Sequence, residues 1–281
     1  MRPAAKLSHM ATASSNRAIL SFGKALLAAS VIFWTFPAID LTVSSWFYSS
    51  GDGFTLSSDP ALRFLRASSS WVIIGVVLVA LYCILREAVT GPLVWSRIRA
   101  PMWLLAGLAM GPGLLVNGLL KTHWGRPRPI QIDVFGGDAT HQMVWVVSDW
   151  CDRNCSFVSG EASSAAWLVA AALVTPRRIR PAATLIAVVY AGALSLNRIA
   201  FGGHFLSDVV FAWLICGLTF GILHWLMIGE GAPAARGESV PHQRHPHNRW
   251  RGANSRSVRH SSSASGSFAA TPARTKDRDV A

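Results

Sequence analysis

His204 and Asp208 stand four residues apart, so a helix would place an imidazole and a carboxylate on one face. A carboxylate that accepts the Nδ1 proton of an imidazole fixes its tautomer and leaves Nε2 free as a nucleophile. Arg198 lies six residues before His204, and Gly202 and Gly203 permit a tight bend between them. Lys121 and Arg128 form a second cluster, with Pro127 and Pro129 bracketing the arginine and restricting its backbone. A fixed guanidinium gives paired hydrogen bonds to phosphate oxygens, and a lysine adds a mobile point charge. The third cluster, Ser159-Gly160-Glu161, reads as a helix start. Ser159 is a natural N-cap, Gly160 admits close approach of a ligand, and the free amides of a first helical turn bind anions. Ser156 adds a hydroxyl to this cradle. Each cluster alone has a plainer reading: a basic patch for lipid headgroups, a cap, a structural His–Asp pair. Gathered at one place, they suit nucleophilic displacement on a phosphate ester.

The elements that must gather them are membrane helices. Hydrophobic residues make up 51% of the chain and charged residues 14%, against about 25% in ordinary soluble domains. Mean hydropathy is +0.35 and there are twelve tryptophans. These values predict an all-α integral membrane bundle of about six helices. The apolar runs fall near 19–39, 70–85, 102–120, 157–174, 182–196 and 207–228, each close to the ~20 residues a bilayer requires. No small-x-small cleavage site follows the first run, so it reads as an uncleaved helix. The domain organisation expected is a cytoplasmic tail over 1–18, a membrane domain over 19–228, and a disordered basic cytoplasmic tail over 229–281.

Loop charge sets the orientation. Arg2, Lys6, Arg17 and Lys24, then Arg86, Arg97 and Arg99, then Arg177, Arg178 and Arg180, all fall on one side, as does the tail. The positive-inside rule makes that side cytoplasmic. The loops 40–69, 121–156 and 197–206 then face outward, and they carry Lys121, Arg126, Arg128, Arg198 and His204 against the bias. A phosphate site explains those exceptions. The loop 130–154 adds Met143, Trp145 and Trp150, which suits an interfacial lid over a headgroup.

The net charge of +12 admits nucleic acid, anionic lipid or an acidic substrate as partner. The tail holds nine Arg and Lys against four Asp and Glu directly after a membrane run, so the bilayer surface is its nearest anion. No folded nucleic-acid reader is present in the sequence, which argues against nucleic acid. His242, His245, His247 and His260 could chelate metal, but a solvated tail is the simpler reading. Cys83 and Cys216 sit in apolar runs as inert residues. Cys151 and Cys155 flank a polar tripeptide. They read either as a disulfide in an oxidising compartment or as two free thiols, and a zinc site lacks a second ligand pair.

Lys121-x6-Arg128-Pro129, Ser159-Gly160 and Arg198-x5-His204-x3-Asp208 resemble, in order and spacing, the three-part signature of the type-2 phosphatidic acid phosphatase superfamily. The resemblance covers about 70–228. It implies a membrane phosphatase that uses no metal or other cofactor. His204 would form a phosphohistidine, Asp208 would orient it, and Lys121, Arg128, Arg198, Ser159 and Gly160 would hold the phosphoryl oxygens. Its substrate would be a phosphorylated membrane lipid. Phe135-Gly136-Gly137 and the stretch from Asn154 to Glu161 look like the lipid A phosphatase branch, which implies a bacterial inner membrane with the site facing the periplasm. Undecaprenyl pyrophosphate, phosphatidylglycerol phosphate and phosphatidic acid are alternative substrates. A lipid phosphotransferase and a non-catalytic lipid-binding protein are the rival functions.

One position departs from the family pattern. Where the second motif ends in the histidine that protonates the leaving oxygen, this chain has Glu161. Either Glu161 serves as that acid, or His123 or His141 replaces it, or the leaving group needs none.

Overall fold

The computed structural model describes residues 3–229, so the basic tail and its four histidines lie outside the described residues. Every long element in it is a helix. The order is α1 (Pro3–Thr35), α2 (Ala38–Ser45), α3 (Pro60–Thr90), α4 (Trp95–Leu108), a π-helical stretch (Ala109–Leu120), α5 (Lys121–His123), α6 (Gly160–Leu173), α7 (Arg180–Ala200) and α8 (Leu206–Met227). Five spans are long and apolar enough to cross a membrane: 14–35, 60–90, 95–123, 180–200 and 206–227. The remaining run, the fourth, folds as α6, whose 14 residues cover only ~21 Å at 1.5 Å each.

Several boundaries differ from the sequence expectation. Helix α1 reaches back to Pro3, into the stretch read as a tail, because residues 4–18 are rich in Ala and contain no internal Pro or Gly. It stops at Thr35, and Pro37 then opens the separate α2. Helix α3 starts ten residues before the apolar run. Asp59 caps it, its Oδ1 accepting from the Leu62 amide at 2.9 Å, and Pro60 occupies the first turn. Arg63 and Arg66, expected in a loop, are therefore helical. The third span runs unbroken from α4 through the π-helical stretch to α5. The wide turns of Ala109–Leu120 are of a kind that recurs at functional sites, and inside them the Asn117 side chain donates through Nδ2 to the Pro112 carbonyl at 2.7 Å.

Helix α6 is the buried centre. It packs against α7, α8 and the π-helical stretch. Nine of its residues are buried, and seven of those are Gly, Ala or Ser, whose small size lets helix backbones approach closely. The indole of Trp167 fills the space beside it and donates to the Leu104 carbonyl at 2.8 Å. By contrast α3 is almost wholly exposed through its apolar window and presents Trp71, Leu78, Val79 and Tyr82 outward, as a lipid-facing helix must. A second set of apolar residues, Phe54, Ile132, Phe135, Ala139 and Phe205, ties the loops at the site end into one cap. Tyr48 stacks into it, with its ring 5.1 Å from that of Phe135.

Candidate active site

The three clusters converge at one end of the bundle. His204 lies in the bend between α7 and α8 and is 1% exposed. Its Nδ1 is 2.8 Å from the Ser156 carbonyl oxygen and 3.8 Å from Asp208 Oδ2. A carbonyl only accepts, so Nδ1 carries the proton and Nε2 keeps its lone pair. The expected carboxylate contact is thus replaced by a nearer backbone one, and Asp208 acts at one remove. Its Oδ2 accepts from the Ser156 hydroxyl and from the Phe205 amide, the latter at 2.8 Å. The residues on both sides of the imidazole are therefore fixed by one carboxylate. Burial, more than any charge, lowers the His204 pKa to about 4, with Arg198 and Lys121 adding to the effect and Asp208 opposing it. The ring is neutral near pH 7, as a nucleophile requires.

Behind His204 lies a charged network that spacing did not reveal. Arg126 is completely buried. It donates to Asp208 Oδ1 at 2.6 Å, to Asp40 Oδ2 at 2.9 Å, to the Ser207 hydroxyl at 2.8 Å and to the Gln142 carbonyl at 2.9 Å. Asp40, from α2, also accepts from the Ser207 amide at 2.8 Å and from its hydroxyl. The Arg126 guanidinium lies over the Phe205 ring, 4.4 Å from its centroid. Burial alone would lower the Arg126 pKa, but Asp208 and Asp40 outweigh it and hold the group protonated. Asp40 carried a signal in the sequence, an acid at the end of an apolar run. Arg126 reads in the sequence only as loop charge.

In front of His204 stand the expected cations. The close approach of Arg198 explains Gly203: a Cβ there would sit 2.5 Å from the guanidinium. Arg198 Nε lies 3.0 Å from Glu161 Oε2, and Arg66 from α3 reaches Glu161 Oε1 at 2.9 Å. Both carboxylate oxygens of Glu161 thus face guanidinium groups. Gly160 also needs its hydrogen, since a Cβ would meet the Asn117 side chain at 2.6 Å. Ser159 caps α6 by accepting from the Ala162 amide at 3.3 Å, while its own amide donates to the Asp208 carbonyl at 3.1 Å. The amides of Gly160 and Glu161, in the first turn, have no intrahelical acceptor.

Lys121 and Arg128 meet at Asn154. Lys121 Nζ donates to its side-chain oxygen at 2.9 Å and Arg128 Nη2 to its carbonyl at 2.7 Å. Asn154 has a positive φ of 54° and lies inside the small loop closed by a disulfide between Cys151 and Cys155. Burial, and then the neighbouring Arg66, lowers the Arg128 pKa. Arg66, Arg128, Arg198 and Glu161 line a cavity of about 560 Å³ that extends from Gly203, next to His204, to the start of α3.

The other imidazoles lie elsewhere. His123 bonds back to the Leu119 carbonyl at 2.9 Å, and His141 packs edge-on against Phe205 at 5.2 Å. Neither lines the cavity. Trp145, expected in an interfacial lid, is instead built into the core. Its Nε1 donates to Ser30 Oγ on α1 at 3.0 Å, and its ring packs 4.9 Å from that of Phe211. Trp150 remains exposed.

The pattern of the PAP2 superfamily matches residues 100–231. The lipid A 4'-phosphatase of Francisella tularensis subsp. novicida is 37% identical over 201 residues, covering 71% of this chain and 89% of that protein. The lipid A 4'-phosphatase of Rhizobium leguminosarum is 35% identical over 215 residues, covering 71% and 90%. The chain belongs to the PAP2 superfamily. As a PAP2 protein with an apolar helical bundle and these relatives, it is a membrane lipid phosphatase, a phosphoric monoester hydrolase. A third relative, the lipid A 4'-phosphatase of Rhizobium etli, is 44% identical over a shorter stretch of 119 residues, 42% of this chain and 46% of that protein. No solved structure matches the chain.

Proposed function

We propose that this phosphatase removes a phosphomonoester from a lipid A-type glycolipid at the periplasmic face of a bacterial inner membrane. The observation that carries the reading is the state of His204: its Nδ1 proton is committed to the Ser156 carbonyl, and its other nitrogen is unprotonated beside a cationic cavity. His204 Nε2 attacks phosphorus, and the bond from phosphorus to the sugar oxygen breaks. The phosphohistidine then passes its phosphoryl group to water and releases inorganic phosphate. Asp208 is a positioning residue that works through Ser156 and the Phe205 amide. Lys121, Arg128 and Arg198, with the first-turn amides at Gly160 and Glu161, carry the charge that builds on the phosphoryl oxygens, and Ser159 supports them as the cap. Glu161 holds Arg198 and Arg66 in place. A proton on either of its oxygens would displace a guanidinium, so the departing oxygen takes its proton from water in the open cavity.

The orientation rests on the basic loops opposite the site and on the disulfide in the loop 151–155, which suits an oxidising compartment. The lipid class rests on the names of the relatives. The test is phosphate release from lipid A in detergent by the purified protein, beside His204→Ala. The expected outcome is turnover that His204→Ala reduces at least about 10⁴-fold, with an acid-labile phosphoprotein trapped only when His204 is present. Release that survives His204→Ala would overturn the mechanism. Release from phosphatidic acid or undecaprenyl pyrophosphate but not from lipid A would overturn the substrate.

A further inference from the structure

One wall of the cavity is left unused by the chemistry above. Arg63 and Arg66 stand one turn apart on the first two turns of α3, and both line the cavity that Arg128 and Arg198 border from the other side. Among the described residues no acidic side chain pairs with Arg63, and Arg66 has only Glu161, which it shares with Arg198. A phosphate monoester brings a charge of about −1.5 to −2. Together with Glu161 it matches Lys121, Arg128 and Arg198, which leaves Arg63 without a counter-charge and Arg66 with only the carboxylate it shares with Arg198. The space is also large for one phosphoryl group. At about 560 Å³ it falls within the ~300–1,000 Å³ range of pockets that enclose whole small-molecule ligands. Ser57 and Ser70 supply hydroxyls on the same wall. These arginines lie at the outward end of a lipid-facing helix, where the topological bias disfavours positive charge.

We propose that Arg63 and Arg66 form a second anion subsite, which takes another acidic substituent, a carboxylate or a second phosphate, of the same headgroup whose phosphate is removed. This rests on the reading of the cavity as the place where the substrate headgroup sits. The subsite makes the enzyme selective for a polyanionic glycolipid over a singly phosphorylated one. A guanidinium reads either acid through paired charge-assisted hydrogen bonds. The same chemistry could come from the headgroup of a neighbouring anionic phospholipid, and the test separates the two sources.

Two phosphorylated glycolipids identical except for one added acidic group are compared in neutral detergent micelles. Equilibrium binding is measured with the His204→Ala protein, alone and combined with Arg63→Gln or Arg63→Lys. Turnover is measured with the same changes at position 63 in the protein that retains His204. The expected result is a preference for the doubly acidic lipid of about tenfold or more. It should collapse toward parity with Arg63→Gln and be largely kept by Arg63→Lys, which retains the charge. A binding preference near one in the parent protein, or one that Arg63→Gln leaves intact, would overturn the subsite. So would activation of the singly acidic lipid by added anionic phospholipid that Arg63→Gln abolishes, since the anion would then be a bystander. Absence of turnover with a normal binding preference would count against the catalytic reading alone.

Discussion

The charges behind His204 and those in front of it are built differently. Behind it, Arg126, Asp40 and Asp208 are all 0–2% exposed, and each is held by several hydrogen bonds. In front, Arg198 is 5% exposed at the side chain, but its partner Glu161 is 30% and Arg66 48% exposed, and Arg63 is exposed on α3. Desolvation makes an enclosed ion expensive unless every partner is present, whereas an exposed ion is screened and replaceable. The enclosed set therefore fixes geometry. Arg126 joins α2, α8 and the loop 130–154, and so the imidazole inherits its position from three separate pieces of chain. The open set can exchange its partners for those of a ligand.

The contrast fails if the two sets respond alike to substitution. The largest effect expected is from Arg126→Gln, which leaves two enclosed carboxylates without their cation. Unfolding in detergent should show a loss of about 3–5 kcal/mol. A loss under 1 kcal/mol would mean that the network does not hold the fold.

Acid pH should act next most strongly, and through the enclosed side. His204 takes a proton near pH 4 when folded and near 6.5 when unfolded. Above pH 6.5 both states are neutral and the residue makes no difference. Between 6.5 and 4 the unfolded chain binds the extra proton, so stability falls as the pH falls. The wild-type protein should lose about 3 kcal/mol more than His204→Gln across that window. Equal pH dependence in the two proteins would place the imidazole in a more polar setting than its burial implies.

The smallest effect is expected from Glu161→Gln, on the open side. An amide keeps a hydrogen bond to the guanidinium groups but loses the charge, and kcat/KM should fall about tenfold, or about 1.4 kcal/mol. A loss of 10²–10⁴-fold would instead identify Glu161 as the proton donor.

What the sequence discloses depends on how far apart the partners lie. The Ser159 cap and Lys121 at the end of the third span are local signals, and both are found in the fold; the His204–Asp208 spacing does bring the two residues close, but the Nδ1 bond it suggests goes to the Ser156 carbonyl. Asp40 and Arg126 are 86 residues apart and meet only because α2 folds over the start of α8. Neither has a periodicity that announces the other. Arg63 and Arg66 escaped notice for another reason. Hydropathy locates the apolar part of a span, but Asp59 and Pro60 start α3 ten residues earlier and carry both arginines onto a helix face. The ion pair of Glu161 with Arg66 is not legible, because Arg66 reaches it from 95 positions away.

Asn154 engages two of the cations that the proposed reaction needs. Lys121 and Arg128 both bond to its oxygens, so on the proposed mechanism an arriving phosphoryl group must displace those oxygens before both cations hold it. Loose inorganic phosphate, which has no acyl chains to anchor it, competes poorly with a tethered carbonyl and amide. On the proposed mechanism, this contact favours release of the product and guards against clogging by it.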